Sequence, residues 1–148
     1  MRDDTTNTLT QILMGVKTEK DAEDYINEHT NVHYGSFSEY FKTYIAKENL
    51  VMADIIKNSS INKNYVYQII DGSKQASRDK LLALCIGAGM NYTSTNRALK
   101  AGGKNPIDPK NPRDVRIAIC INQGLKKVLD VNICLEENGL DLFDWIKE

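Results

Sequence analysis

Residues 59–72, SSINKNYVYQIIDG, place Lys63, Asn64, Tyr67 and Gln68 on the wet side of a short apolar segment that a polar turn opens and Gly72 closes. Side-chain amides offer a donor and an acceptor together and lysine offers donors alone, which suits such groups to the edges of nucleotide bases. The same residues would serve equally as the solvated face of a core helix. Other chemistry-bearing residues are sparse. His29 and His33 are four apart, a spacing that sets two imidazoles on one helix face, but HTNVHYG carries helix-ending asparagine and glycine and no third ligand stands nearby. No metal is expected there. Cys85, Cys120 and Cys134 are an odd, widely spaced set in apolar segments, and read as reduced core residues rather than a disulfide frame or a CxxC site. No GxSxG, Walker-type or Rossmann glycine pattern occurs, and Gly87-Ala88-Gly89 falls inside an apolar helix, where close packing or a helix end is expected rather than a phosphate cradle. Neither enzymatic activity nor a cofactor is expected.

A chain of 148 residues, 41% hydrophobic and 26% charged, is long enough to bury a real core in one compact domain. The N-terminus lacks the basic-then-apolar layout of a signal peptide, and no apolar run approaches the roughly 18 residues of a membrane span. A cytoplasmic location with no membrane partner is expected. The net charge of −1 argues against a generally adhesive nucleic-acid binder, but it hides a gradient. Residues 1–35 hold three basic and seven acidic residues, 36–100 hold nine and five, and 101–148 hold seven and eight. The only basic segment contains the opening stretch.

Cap signals ahead of 3.6-period apolar patterns predict an all-α fold without strands. Acidic helices are expected over about 8–16 and 18–30. Ser36 with Glu39 forms a capping box, and Phe37, Tyr40, Phe41, Tyr44 and Ile45 behind it fall on one helix face, read as core rather than as a base-stacking row. Two short helices follow across the SSI turn, with Met52, Ile55 and Ile56 inward on the first and Tyr65, Val66, Ile69 and Ile70 inward on the second. Ser77 caps the next helix.

The second half contains an internal duplication. RDKLLALCIGAGM at 78–90 aligns without gaps on RDVRIAICINQGL at 113–125, and after one inserted residue TNRALKAGG at 95–103 aligns on VNICLEENG at 131–139. A period of 35 to 36 residues predicts two similar helical hairpins that bury each other's apolar faces. KNPIDPKNP between them carries all three prolines and reads as a stiff spacer, with Asn111 as cap and Pro112 in the first turn of the next helix. LDLFDWIKE at the end is an apolar tail that either folds back on the core or reaches a second subunit.

Residues 36–90 resemble the lambda-repressor/Cro-like, or Xre-type, helix-turn-helix domains. The likeness rests on Ile61 ahead of the second short helix, Asn62 as its cap, Tyr65, Val66, Gln68 and Ile69 inside it, the Asp71-Gly72 stop, Lys74 in the loop and the Ser77-capped helix beyond. The whole chain, with its YVYQI, SRDKLLAL and NPRD segments, is similar to small extended Xre-type proteins of Gram-positive bacteria. The resemblance implies a recognition helix over 62–71 that enters the major groove and contacts bases through Asn62, Lys63, Asn64, Tyr67 and Gln68, with Lys42, Lys74 and Arg78 on phosphates. Double-stranded DNA is the implied partner and transcriptional control the implied role. One recognition helix per half-site implies a homodimer, for which 113–146 is the candidate surface. Three positions depart from the family pattern: Met52 stands where a glutamine is usual, Ile56 where a small residue is usual, and Ser60 where glycine is usual. These departures, the near-zero charge and the acidic flanks suit the alternative, a protein-interaction adaptor that keeps the fold without binding DNA. The expected organisation is therefore acidic helices over 1–35, a helix-turn-helix unit over 36–103 and a hairpin with tail over 104–148.

Overall fold

The computed structural model describes residues 35–146, and every regular element among them is an α-helix. In chain order these are α1 Phe37–Glu48, α2 Met52–Ser59, α3 Lys63–Ile70, α4 Arg78–Gly87, α5 Tyr92–Ala101, α6 Pro112–Asn122 and α7 Val128–Glu137. The acidic helices expected over 8–16 and 18–30, and the His29 and His33 pair, lie outside the described residues.

All the described helices except α2 and α7 begin where capping residues stand. Ser36 Oγ accepts from the Glu39 N–H at 3.1 Å, while the Glu39 carboxylate accepts from the Gly35 N–H at 3.3 Å, one residue further out than a reciprocal box requires. Ser77, Asn91 and Asn111 cap α4, α5 and α6 in the same way. Each such cap is worth about 1 kcal/mol.

α4 is the axis of the fold, with residues 81–88 all buried. On one side α5 returns along it, and α1 lies over α5 and α3 through Phe37, Tyr40 and Phe41. Phe37 and Phe41 stack at 4.9 Å, so the aromatic row is core, with Tyr44 and Ile45 half-buried at its edge. On the other side α2 crosses α4 at Gly87. A β-carbon there would sit 3.0 Å from the Ile55 carbonyl oxygen and 3.3 Å from the Ser59 nitrogen, and Asn58 Nδ2 donates to the Gly87 carbonyl at 3.2 Å. Only glycine permits that approach. Of the positions expected inward on the two short helices, Ile55, Val66 and Ile69 are buried, and Met52, Ile56, Tyr65 and Ile70 are half-buried against the core.

The duplication is a structural repeat that extends further than the aligned segments. In the first hairpin Asn96 Oδ1 accepts from the Ile107 N–H at 2.8 Å, and in the second Asn132 Oδ1 accepts from the Phe143 N–H at 2.8 Å. Both held residues, eleven positions beyond their asparagines, are almost fully buried. The proline-bearing segment is therefore not a spacer: it folds back on its own hairpin and delivers Ile107 to the core, as the C-terminal tail delivers Phe143. A tight asparagine contact to a backbone N–H outweighs the stiffness of the flanking prolines, because it satisfies a group that burial would otherwise orphan.

The two Arg-Asp pairs of the repeat lock across the hairpins. Arg78 donates from Nη1 and Nη2 to Asp114 at 3.1 and 2.8 Å, and Arg113 donates from Nη1 and Nη2 to Asp79 at 2.9 Å each. Each arginine also ties its own hairpin's return segment through Nε, Arg78 to the Asn105 carbonyl and Arg113 to the Asp141 carbonyl, at 2.9 and 2.8 Å. The pairs are thus related by a local pseudo-twofold. Arg113 further lies over the Phe143 ring at 4.9 Å.

All three cysteines are free: Cys85 and Cys120 are buried at equivalent repeat positions and Cys134 is half-buried. Burial, reinforced by a hydrogen bond with the Cys134 thiol, pushes the Cys120 thiol up to about 11.

The two halves of the lock are unequal. The Asp114 side chain is 8% exposed and also accepts from the Asp108 N–H, whereas Asp79 is 33% exposed. Asp114→Ala, which strands Arg78 and a backbone N–H, is expected to cost about 3 kcal/mol, and Asp79→Ala about 1 kcal/mol or less. Urea denaturation of both variants checks this, and equal losses would contradict the asymmetry.

Candidate nucleic-acid interface

The turn between α2 and α3 is built by two serines in different ways. Ser59 is fully buried, and its hydroxyl donates to the Ile56 carbonyl at 2.9 Å and accepts from the Ile61 N–H at 3.2 Å. Ser60 turns the chain with φ 59° and ψ 17°, a left-handed conformation that a side chain disfavours. Ile61 then drops into the core and Asn62 caps α3. The position where the family pattern has glycine is thus one where glycine's freedom is needed, and serine holds it under strain. Ile56 stays at the half-buried margin, so α2 gains its close approach at Gly87 of α4 instead.

α3 buries Val66 and Ile69 and turns Lys63, Asn64, Tyr67 and Gln68 outward, all exposed. Among the described residues none of these four side chains is hydrogen-bonded or ion-paired. Asn62 differs from them. Its Oδ1 accepts from the Asn64 and Tyr65 N–H groups at 2.9 and 3.4 Å, which leaves only its amide donors for anything outside. Two-point pairing with an adenine edge is therefore open to Asn64 and Gln68 rather than to Asn62.

The three expected phosphate ligands fall in three different settings. Lys42 is exposed on α1 beside the C-terminal end of α3, where it adds to the lowering of the Asp71 carboxyl, a lowering caused chiefly by hydrogen bonds from Ser73. Lys74 is exposed in the loop after α3, its backbone N–H bonded to the Gln68 carbonyl at 3.1 Å and its ammonium 4.6 Å from the centre of the Tyr65 ring. Arg78 is placed elsewhere than expected. Its guanidinium is spent on Asp114, Asn105 and Pro106 inside the hairpin lock, so it is not available to a phosphate without breaking the fold.

Two residues join the site that the sequence did not single out. Lys80, from the first turn of α4, sits 3.9 Å over the Tyr65 ring from the centroid and 5.6 Å from that of Trp145. Trp145 Nε1 donates to the Ser59 carbonyl at 3.3 Å, so the C-terminal tail folds back and touches the turn ahead of α3. The tail carried the right composition for burial, but no local signal names a partner 86 residues away. Among the described residues no cluster of His, Cys, Asp and Glu is placed to hold a metal ion, and no helix is long and apolar enough to cross a membrane. Compared with known families, characterised proteins and solved structures, the chain matches none.

Replacing Ser60 by glycine removes about 1–2 kcal/mol of left-handed strain and adds about 0.5–1 kcal/mol of unfolded-state entropy. Ser60→Gly is expected to raise stability by a net of roughly 0.5–1 kcal/mol, read as a higher urea denaturation midpoint, and a lowered midpoint would show that the hydroxyl has a structural role.

Proposed function

We propose that this chain is a sequence-specific DNA-binding transcriptional regulator of the Xre-type helix-turn-helix kind, acting as a homodimer in the cytoplasm and without a cofactor. The observation that carries the reading is the face of α3, where Lys63, Asn64, Tyr67 and Gln68 stand exposed over a buried Val66 and Ile69. In a major groove Asn64 and Gln68 would pair with adenine, Lys63 would donate to guanine, and Asn62 would add its amide donors. Lys42 and Lys74 would neutralise phosphates near the far end of α3. These phosphate contacts position the helix, while the base contacts specify the site.

A dimer would set two such helices about 34 Å apart along one face of the duplex. Its candidate surface is 113–146, where Ile119, Leu129, Ile133 and Leu142 are 39%, 47%, 52% and 39% exposed. Four large apolar side chains left in water on one segment favour a protein partner. The same observation supports the second reading, a protein-interaction adaptor that keeps the fold without DNA.

Selection of bound fragments from genomic DNA at physiological salt separates the two. A regulator enriches one motif, and Lys63→Ala or Gln68→Ala relaxes it at single positions by about 1–3 kcal/mol. An empty selection sinks the DNA reading. For the dimer, Ile133→Asp is expected to convert a two-chain species to a monomer in sedimentation without loss of helicity, and a monomeric wild-type chain would refute that surface.

A further inference from the structure

A groove of about 240 Å³ opens where α2 and the end of α4 meet the turn between α6 and α7. Lys57, Lys126 and Lys127 line it together with Val51, Asn58 and a single carboxylate, Asp54. None of the three ammonium groups is ion-paired among the described residues, and the lining carries two more positive than negative charges. Lys126 is held in place: its stem lies over Gly89, with Cε 3.1 Å from where a β-carbon would stand. α2 and α7 both start beside the groove, at Val51 and Lys127, with no side-chain cap, so their free N–H groups add to the same potential.

We propose that this groove takes a backbone phosphate of DNA, with Lys126 and Lys127 of the second hairpin as ligands and Lys57 as the third cation. The inference rests on the DNA reading of α3 and extends the contact surface to a part of the chain outside the helix-turn-helix unit. Charge complementarity and adjacency to the helix before α3 favour a duplex phosphate over a small free anion. The groove runs along α2 from Val51 to Asn58, and Asn62, the cap of α3, follows four residues later. An eight-residue helix spans about 12 Å, comparable to the width of the major groove, so a phosphate seated along α2 would border the groove that α3 would enter. The second hairpin then acts as a clamp on the flanking strand.

The test is the salt dependence of binding of the full chain to a labelled duplex, compared with the double variant Lys126→Gln/Lys127→Gln. Loss of this phosphate contact should lower the slope of log K against log salt by about 0.9, so that between 50 and 200 mM salt the wild type loses roughly three- to fourfold more affinity than the variant. The preference between specific and random duplexes should stay unchanged. Lys104→Gln/Lys110→Gln makes the same change of charge in the segment that Arg78 holds at the opposite end of α4, and should leave the slope alone. If the wild type binds and the groove variant keeps its slope, the groove assignment is overturned and the DNA reading stands. If both double variants lower the slope equally, only net charge is at work and the assignment is again overturned. If the wild type binds no duplex, both readings fall together.

Discussion

The reciprocal pairing of two Arg-Asp dipeptides is the constraint on which the rest of the molecule depends. Arg78 and Arg113 each reach across to the other hairpin's aspartate and back to their own hairpin's return segment. The lock thereby fixes four chain segments with two side chains. Because the pairs are only partly withdrawn from water, their net stabilisation is modest, and their weight lies in geometry. A planar guanidinium with donors at fixed angles admits one relative placement of the hairpins, where apolar contact alone would tolerate several.

From that lock the order passes to the candidate interface by two routes. One runs along α4, whose far end receives α2 at Gly87, so that any shift of α4 moves the helix that precedes α3. The other runs along the tail: Asn132 holds Phe143, and two residues later Trp145 bonds to the Ser59 carbonyl in the turn ahead of α3. The short α2–α3 pair, which buries little surface of its own, is thus braced from both ends of the repeat. This brace explains how the turn tolerates Ser60 in a left-handed conformation and Ile56 in place of a smaller residue: rigidity comes from α4 and the tail rather than from intimate crossing of the two short helices.

The candidate site is also wider than the exposed face of α3 alone. Tyr65, which packs inward, presents its ring to the ammonium groups of Lys74 and Lys80, and such contacts hold flexible lysine chains near one place at small energetic gain. The cost of the hairpin lock is that Arg78, the most suitable residue for a phosphate by its chemistry, is engaged by Asp114, Asn105 and Pro106. Positive charge is supplied instead by lysines on α1, the loop after α3 and the turn between α6 and α7, all of which can reach a ligand without disturbing the core.

Sequence by itself determined the helices, because caps, periodicity and helix-ending glycines are local properties that neighbours within four residues settle. It also determined the existence of the repeat, the inward cysteines, and the outward face of α3. What it did not contain was the partner of each long side chain. Arg78 and Lys74 look alike as cations along the chain, yet one is half-buried and paired with Asp114 and the other is exposed, since that outcome depends on how two hairpins dock. The segment with the prolines looked like a spacer because its anchor, Asn96, lies in the preceding helix. The tail's seat at Ser59 and the lysines gathered around one groove follow in the same way from docking of elements far apart in the chain. Local hydrogen bonding writes the elements into the sequence, whereas the contacts around the candidate site depend on how the hairpins dock.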